Sequence, residues 1–215
     1  MSLYLYPIFA SKIFAVIIGL VNWRLLTKPY KLIAVQVCLI LLTESLGLYL
    51  NHVRQCNNVF LFNIYNILEV WLLAYIGKQF ITTKFARLIL PILIFLTVYW
   101  FYCVLLRGID EFFNWFFVVY CFFLVIIFTV ILFTNALFNR KKVLGEPLFL
   151  ICISIILYYG CTVPLFGVMN YLIKNDINTA ARLFYISHTV EVLRYLLIAI
   201  AFYLYGRQAK RAYVA

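Results

Sequence analysis

One feature of this sequence limits its fold more than any other: stretches of about twenty mainly apolar residues follow one another along the chain. A helix of that length crosses the hydrocarbon core of a bilayer, because each residue adds about 1.5 Å. The stretches are continuously apolar and lack the two-residue alternation of membrane barrels, so helices are predicted rather than strands. We distinguish seven, at about 4–26, 30–50, 58–78, 86–106, 112–138, 147–172 and 179–205.

Composition supports this division, since 67% of the 215 residues are hydrophobic and 12% are charged, unlike a soluble domain. Pro29 and Pro147 fall where the second and sixth helices are expected to begin. The gaps between stretches are too short for a further domain. We therefore predict an all-α polytopic membrane protein, a single seven-helix transmembrane domain over 1–215 without a soluble domain.

The net charge of +11 is distributed in a way that indicates orientation rather than a nucleic-acid partner. Basic residues concentrate in the first, third and fifth loops and in the tail, whereas the even loops are poor in them. By the positive-inside rule, the C-terminus is predicted to be cytoplasmic and the N-terminus outside, in a multi-pass protein of the cell (inner) membrane. The basic residues behind this prediction are Arg24, Lys28, Lys31, Lys78, Lys84, Arg87, Arg140, Lys141, Lys142, Arg207, Lys210 and Arg211.

Five ionisable residues fall inside the predicted spans: Lys12, Glu44, Glu69, Glu191 and Arg194. Each would cost about 2.5 to 3.5 kcal/mol near the bilayer centre, so such groups normally face the bundle interior with a partner. The simplest pairing sets Arg194 against Glu69 or Glu191, and Lys12 against Glu44.

Spacing places several polar residues on shared helix faces. On the third helix Asn63, Asn66 and Glu69 recur at every third position, and on the seventh His188, Glu191 and Arg194 do the same. Lys12 and Glu44 lie at comparable distances from the predicted outer end. These eight residues are predicted to line a polar cavity that faces outward and serves ligand binding or proton transfer: His188, Glu191, Arg194, Glu69, Asn66, Asn63, Glu44 and Lys12.

The sixth helix contains Pro164, which cannot donate a hydrogen bond to the carbonyl of Gly160. A kink or local unwinding is expected there, with Gly160 and Pro164 as a candidate hinge. The alternative is an ordinary proline kink that only shapes packing.

Several familiar kinds of site are not indicated. A site formed by Glu44, His52, His188 and Glu191 would suit zinc or iron, but no two of these residues have a diagnostic spacing, and we predict no metal. The six cysteines show no zinc or disulfide pattern, and no cofactor is expected. The last span has no lysine for retinal, and the two aspartates lie in loops, which argues against aspartate-rich prenyl transfer.

The Tyr65-x-x-x-Glu69 element and the Phe-, Tyr- and Ile-rich composition resemble small seven-helix integral membrane proteins of Bacteroidota. The resemblance implies a seven-helix bundle and no activity.

Three function classes fit the predicted cavity. A sensor or ligand-binding module would hold a small polar or anionic molecule near Arg194, His188 and Lys12, and would signal through a separate cytoplasmic or membrane partner protein. A transporter would couple protons on the carboxylates to a small-molecule substrate. An enzyme would use His188 or Glu191 as a general base on a lipid, although no nucleophile or metal constellation supports catalysis. We rank the sensor first, and a purely structural role for these groups stays open.

Overall fold

The computed structural model describes residues 5–81, 84–138 and 145–214, and each regular element in these ranges is an α-helix. The basic residues Arg140, Lys141 and Lys142 lie outside the described residues. In chain order the helices are α1 Leu5–Val21, α2 Lys28–His52, α3 Val59–Phe80, α4 Ala86–Arg107, α5 Asn114–Phe138, α6 Pro147–Asn175 and α7 Ile177–Val214.

The predicted all-helical class with seven helices is confirmed in the described residues, and α2 to α7 are long and apolar enough to cross a membrane. α1 is shorter than predicted, at 17 residues. Near its end, the backbone N–H and the side-chain amide of Asn22 both donate to the carbonyl oxygen of Ile18, at 3.2 and 3.0 Å.

Proline and capping residues begin three of the helices. Pro29 lies in the first turn of α2 and Pro147 is the first residue of α6, as predicted. α7 starts after Asp176, whose carboxylate accepts hydrogen bonds from the backbone N–H and the hydroxyl of Thr179. These bonds hold the pKa of Asp176 below its ordinary value.

Six helices form a closed ring in which each packs against the next, in the order α1, α2, α3, α5, α6 and α7, and α7 returns to α1. α4 lies outside this ring against α3 and α5. Successive helices are joined by short loops and run in alternate directions. We call the end with the α2–α3, α4–α5 and α6–α7 loops the cavity end, and the opposite end the basic end.

The half of the ring toward the basic end is filled by apolar side chains, and all six ring helices contribute to this packed core. Small residues let the helices approach closely there: a methyl group on Gly77 of α3 would come within 2.5 Å of Ile127 on α5. Fully buried members of this core include Ala15, Ile33, Val37, Leu73, Ile76, Ile131, Ile151, Ile155, Ala199 and Phe202.

Pro164 does not interrupt α6, which continues as one helix from Pro147 to Asn175. The local unwinding expected at Gly160 is therefore absent. Both residues are exposed on the outer surface of the bundle, so the Gly160 carbonyl that Pro164 leaves unpaired does not face the ring interior. The structure thus gives no support to a role for these carbonyls in a ligand site, and the hinge stays a prediction.

Candidate functional site

A cavity of about 520 Å³ lies inside the ring, in the half toward the cavity end. All six ring helices line it, whereas α4 does not. The wall near the cavity end, which we call the upper wall, is mainly apolar and aromatic. The deepest part of the cavity, which we call the floor, carries the charged residues. The aromatic and aliphatic wall includes Phe9, Ile40, Leu48, Phe62, Phe112, Phe117, Phe166 and Phe184.

One end of the floor is built around Glu69 of α3. Its Oε1 atom accepts hydrogen bonds from Gln36 Nε2 at 2.8 Å and from the hydroxyl of Tyr65 at 2.9 Å, and it pairs with Arg194 Nη2 at 3.2 Å. Gln36 Nε2 also donates to Tyr65, at 2.8 Å. The expected pair of Arg194 with Glu69 is present, and it joins α2, α3 and α7 at one carboxylate oxygen.

Arg194 is also held by aromatic rings. Its guanidinium carbon lies 4.6 Å from the ring centre of Tyr158 and 4.9 Å from that of Tyr159, both on α6, and 5.3 Å from that of Tyr195. Arginine stacks favourably on such rings, which lowers the free-energy penalty of burying its charge. The side chain is only 2% exposed, so the ring faces and Glu69 together replace its water.

The other end of the floor is built around Lys12 of α1. Its ammonium group binds Glu44 Oε1 of α2 and, at 2.6 Å, Glu191 Oε1 of α7. The ammonium nitrogen also lies 5.1 Å from the ring centre of Tyr195, which therefore stands between the two buried cations. The expected pair with Glu44 is present, and the second pair with Glu191 was not predicted.

His188 lies one turn above Glu191, with its Nδ1 atom 3.7 Å from Glu191 Oε2. Along α7 the exposed fraction of the side chain falls from 35% at His188 to 12% at Glu191 and 2% at Arg194. The residues of this stripe therefore lie at increasing depth from the cavity end, as their spacing predicted.

The two asparagines of the α3 stripe have different positions. Asn66 lines the cavity and accepts a hydrogen bond from the Tyr120 hydroxyl, at 3.2 Å. Asn63 does not line it: its side-chain amide donates to the backbone carbonyls of Ile109 and Glu111, at 2.8 and 2.7 Å. The structure places Asn63 against the α4–α5 loop, because the ring turns this face of α3 toward that loop, and its assignment to the site stays a prediction.

Several groups at the floor are left with unused hydrogen-bonding capacity, including the Gln36 Oε1 and Tyr159 hydroxyl oxygens. Glu44 Oε2 and Arg194 Nε have no hydrogen-bond partner among the described residues. Lys12, in contrast, is 0% exposed and lies behind Glu44 and Glu191 as seen from the cavity, so the carboxylates form the accessible surface.

Sequence reasoning missed the Tyr158–Tyr159 pair as part of the site. Tyr65 and Glu69 are four residues apart on one helix face, a spacing that indicates a contact. No comparable signal distinguishes Tyr158 and Tyr159 among 17 tyrosines, since their role comes from the packing of α6 against α7.

Metal-ligating residues do not come together in the described ranges: no group of three or more His, Cys, Asp and Glu could hold an ion. His52 is exposed at the end of α2, away from His188 and the other members of the metal site considered above. The six cysteines are free thiols.

No protein-family model, curated protein or solved structure matches this chain. The cavity and its charged floor are therefore the observations from which a function is inferred.

Proposed function

We propose that this chain is an integral membrane ligand-binding module that acts as a sensor. A small molecule enters the cavity from the cavity end and contacts the charged floor, and its occupancy is passed through the helices to a separate partner protein. The observation that carries the proposal is a cavity with one open end. Its volume of about 520 Å³ lies within the range of about 300 to 1,000 Å³ that is typical of small-molecule sites.

The structure of the wall supports a binding role. Apolar and aromatic side chains surround the upper cavity, and a few polar groups converge at its floor. In ligand sites the apolar lining commonly buries the ligand, and the few polar groups fix its orientation. Ionisable groups are expensive inside a membrane and are commonly kept there for function. Five ionisable residues from four helices meet at the floor, which favours a ligand-binding site over a purely structural role for these residues.

The packed core toward the basic end favours a sensor over a transporter. Side chains that are 0 to 2% exposed fill the ring below Arg194, so the cavity does not continue to the other end. Alternating access would require this core to open. Movement of α7 against α1 and α6, by contrast, would transmit occupancy without such an opening.

Proton-coupled transport is the second candidate, because Glu44, Glu191 and His188 form a connected row of titratable groups from the mouth to the floor. Protons could load this row from the cavity end. The protons would then have to be released toward the basic end in a second conformation.

Orientation is part of the proposal: the cavity end faces outward, with seven membrane crossings and a cytoplasmic C-terminus. Support comes from the described basic residues at the opposite end, which include Arg24, Lys31, Arg87, Arg207 and Lys210. α1, with 17 residues or about 25 Å of helix, would cross as the shortest member. The proposed location is the cell (inner) membrane.

Thiol labelling tests this orientation, because Cys56 is exposed in the α2–α3 loop at the cavity end. A membrane-impermeant maleimide added to intact cells is expected to label the protein at Cys56. The variant Cys56→Ser should lose this label, since the other cysteines lie within helices. Labelling of Cys56 only after permeabilisation would place the cavity end in the cytoplasm.

The binding role is tested by native mass spectrometry of the protein extracted from its own membrane. We expect a bound small molecule that is lost in Leu48→Trp, because Leu48 lines the cavity and the larger ring would fill it. Leu46→Trp, on the outward face of the same helix, is the matched control and should keep the molecule. Equal occupancy in both variants would place the molecule outside the cavity and contradict the proposal.

The sensor and the transporter differ in whether the bound molecule is moved across the membrane. In sealed liposomes the sensor should bind the identified molecule without accumulating it inside. Uptake that moves protons together with the molecule, and that stops in Leu48→Trp, would instead establish the transporter.

A further inference from the structure

We propose that the ligand of this cavity is a monovalent organic cation, a quaternary or protonated amine that carries an apolar or aromatic body. This inference rests on the proposed binding function and identifies its ligand class. It replaces the small polar or anionic ligand that Arg194, His188 and Lys12 suggested, because their neighbours change what these cations can do.

The first observation is an imbalance of charge at the floor. Three carboxylates, on Glu44, Glu69 and Glu191, face two permanent cations, on Lys12 and Arg194. When all three carboxylates are ionised, they outnumber these two cations by one. An uncompensated charge in a low-dielectric interior is unfavourable, so a positive group that enters the cavity is stabilised there.

The second observation is the position of the two permanent cations. Lys12 is 0% exposed, and both of its carboxylate partners lie between it and the cavity. Arg194 is 2% exposed, with Glu69 and two tyrosine rings covering its guanidinium group. An anion would have to displace both carboxylates before it could reach Lys12. At Arg194, which lines the cavity, it would meet a guanidinium group that Glu69 already neutralises.

The carboxylates are, by contrast, within reach of a ligand. The side chains of Glu44 and Glu191 are 18% and 12% exposed, and both line the cavity. Glu44 binds Lys12 with Oε1 only, and its Oε2 makes no hydrogen bond in the described residues. A small rotation of this carboxylate would present a free acceptor to an ammonium group.

The third observation is the aromatic wall above the carboxylates. Phe166 of α6 lies 4.5 Å from Phe117, 5.8 Å from Phe112 and 6.2 Å from Phe184, measured between ring centres. All four rings line the cavity. Ring faces attract cations, and the same rings hold an apolar body, so wall and floor favour one kind of molecule.

His188 is positioned to offset this excess charge, because its imidazole lies beside Glu191 and is 35% exposed. A protonated His188 and a bound cation would compete for Glu191, which already shares the ammonium group of Lys12 with Glu44. A permanent positive charge at this position, as in His188→Lys, should therefore exclude a cationic ligand.

Calorimetric titration of the full-length protein in detergent tests the ligand class with three probes of similar size. These are benzyltrimethylammonium, phenylacetate and phenylacetamide, which are cationic, anionic and neutral. We expect the ammonium probe to bind at least about tenfold more tightly than the other two, and Leu48→Trp to abolish its binding. This comparison of probes uses the wild-type protein. Its result therefore cannot be affected by a charge substitution that impairs folding.

Glu44→Gln provides the second measurement, because it removes the excess charge and leaves Lys12 paired with Glu191. Binding of the ammonium probe should weaken by at least about tenfold, while phenylacetamide should be unaffected. Glu111→Gln is the matched control, since Glu111 is an exposed carboxylate at the same end of the bundle.

Tighter binding of phenylacetate than of the ammonium probe would overturn the inference, and so would ammonium binding that Glu44→Gln leaves unchanged. Failure of every probe to bind would overturn it as well. None of these results decides the proposed function itself, which depends on whether Leu48→Trp removes the molecule that is bound in the native membrane.

Discussion

Replacing Arg194 with leucine is expected to lower the free energy of unfolding by about 3 to 5 kcal/mol, a large fraction of the stability of a typical domain. The substitution leaves Glu69 buried, with its charge opposed only by the neutral donors Gln36 and Tyr65. It also removes the cation that stacks on Tyr158 and Tyr159. Unfolding of the detergent-solubilised protein, followed by tryptophan fluorescence, measures the loss.

Two variants identify the cause of this loss. Arg182→Leu removes a charge of the same kind from an exposed position on α7, and it should change stability by less than about 0.5 kcal/mol. The double variant Arg194→Leu with Glu69→Gln should recover a substantial part of the loss, because no isolated carboxylate remains. Equal stability of the single and double variants would show that stacking, and not the ion pair, gives Arg194 its role.

Replacing Lys12 with methionine is expected to be similarly destabilising, at about 3 to 5 kcal/mol, because one ammonium group serves two carboxylates. Without it, Glu44 and Glu191 face each other at the floor of the cavity with only His188 available as a cation. Thermal unfolding in the same detergent, compared with the wild-type protein, measures the effect.

The informative comparison is with Glu44→Gln, which should be much milder than Lys12→Met. Lys12 keeps its pair with Glu191 in that variant, and the glutamine can still accept a hydrogen bond. The expected loss is about 1 to 2 kcal/mol or less, in the range of one hydrogen bond to a charged group. Equal losses in the two variants would contradict the view that Lys12 bridges both carboxylates.

These stability measurements bear on function because they distinguish the two cations from Glu44, one of the three carboxylates that line the cavity. Arg194 and Lys12 are expected to hold the floor together, whereas Glu44 combines a modest effect on folding with a large effect on cation binding. If Glu44→Gln were as destabilising as Lys12→Met, the charged floor would be structural, and the case for a ligand site would rest on the cavity wall alone.

Much of the architecture followed from the sequence. Each predicted span corresponds to a helix, and Pro29 and Pro147 lie where their chemistry predicted. The polar stripe of α7 faces the ring interior, because three-residue spacing keeps His188, Glu191 and Arg194 within one sector of the helix. A local pattern was less informative where it had two structural outcomes, as for Asn63 and for the helix around Pro164.

Asn63 shows why the stripe on α3 was only partly informative. Spacing places it on the same sector as Asn66 and Glu69, but a sector about a third of the circumference wide contacts more than one neighbour. In the structure one edge of that sector faces the cavity and the other meets the α4–α5 loop. The arrangement of the surrounding elements, and not the spacing, decides between a site residue and a loop anchor.

The sequence by itself determined that this chain forms apolar helices with ionisable residues on their inner faces, because helix length, hydropathy and periodicity are properties of neighbouring residues. The tertiary structure decided which charges meet. Lys12 contacts residues 32 and 179 positions away, and Arg194 contacts one 125 positions away. Such pairs depend on the order and rotation of six helices around the ring, which are set jointly by packing across the bundle. That packing encloses Lys12 and leaves Glu44 and Glu191 accessible from the cavity, a result that no single span contains.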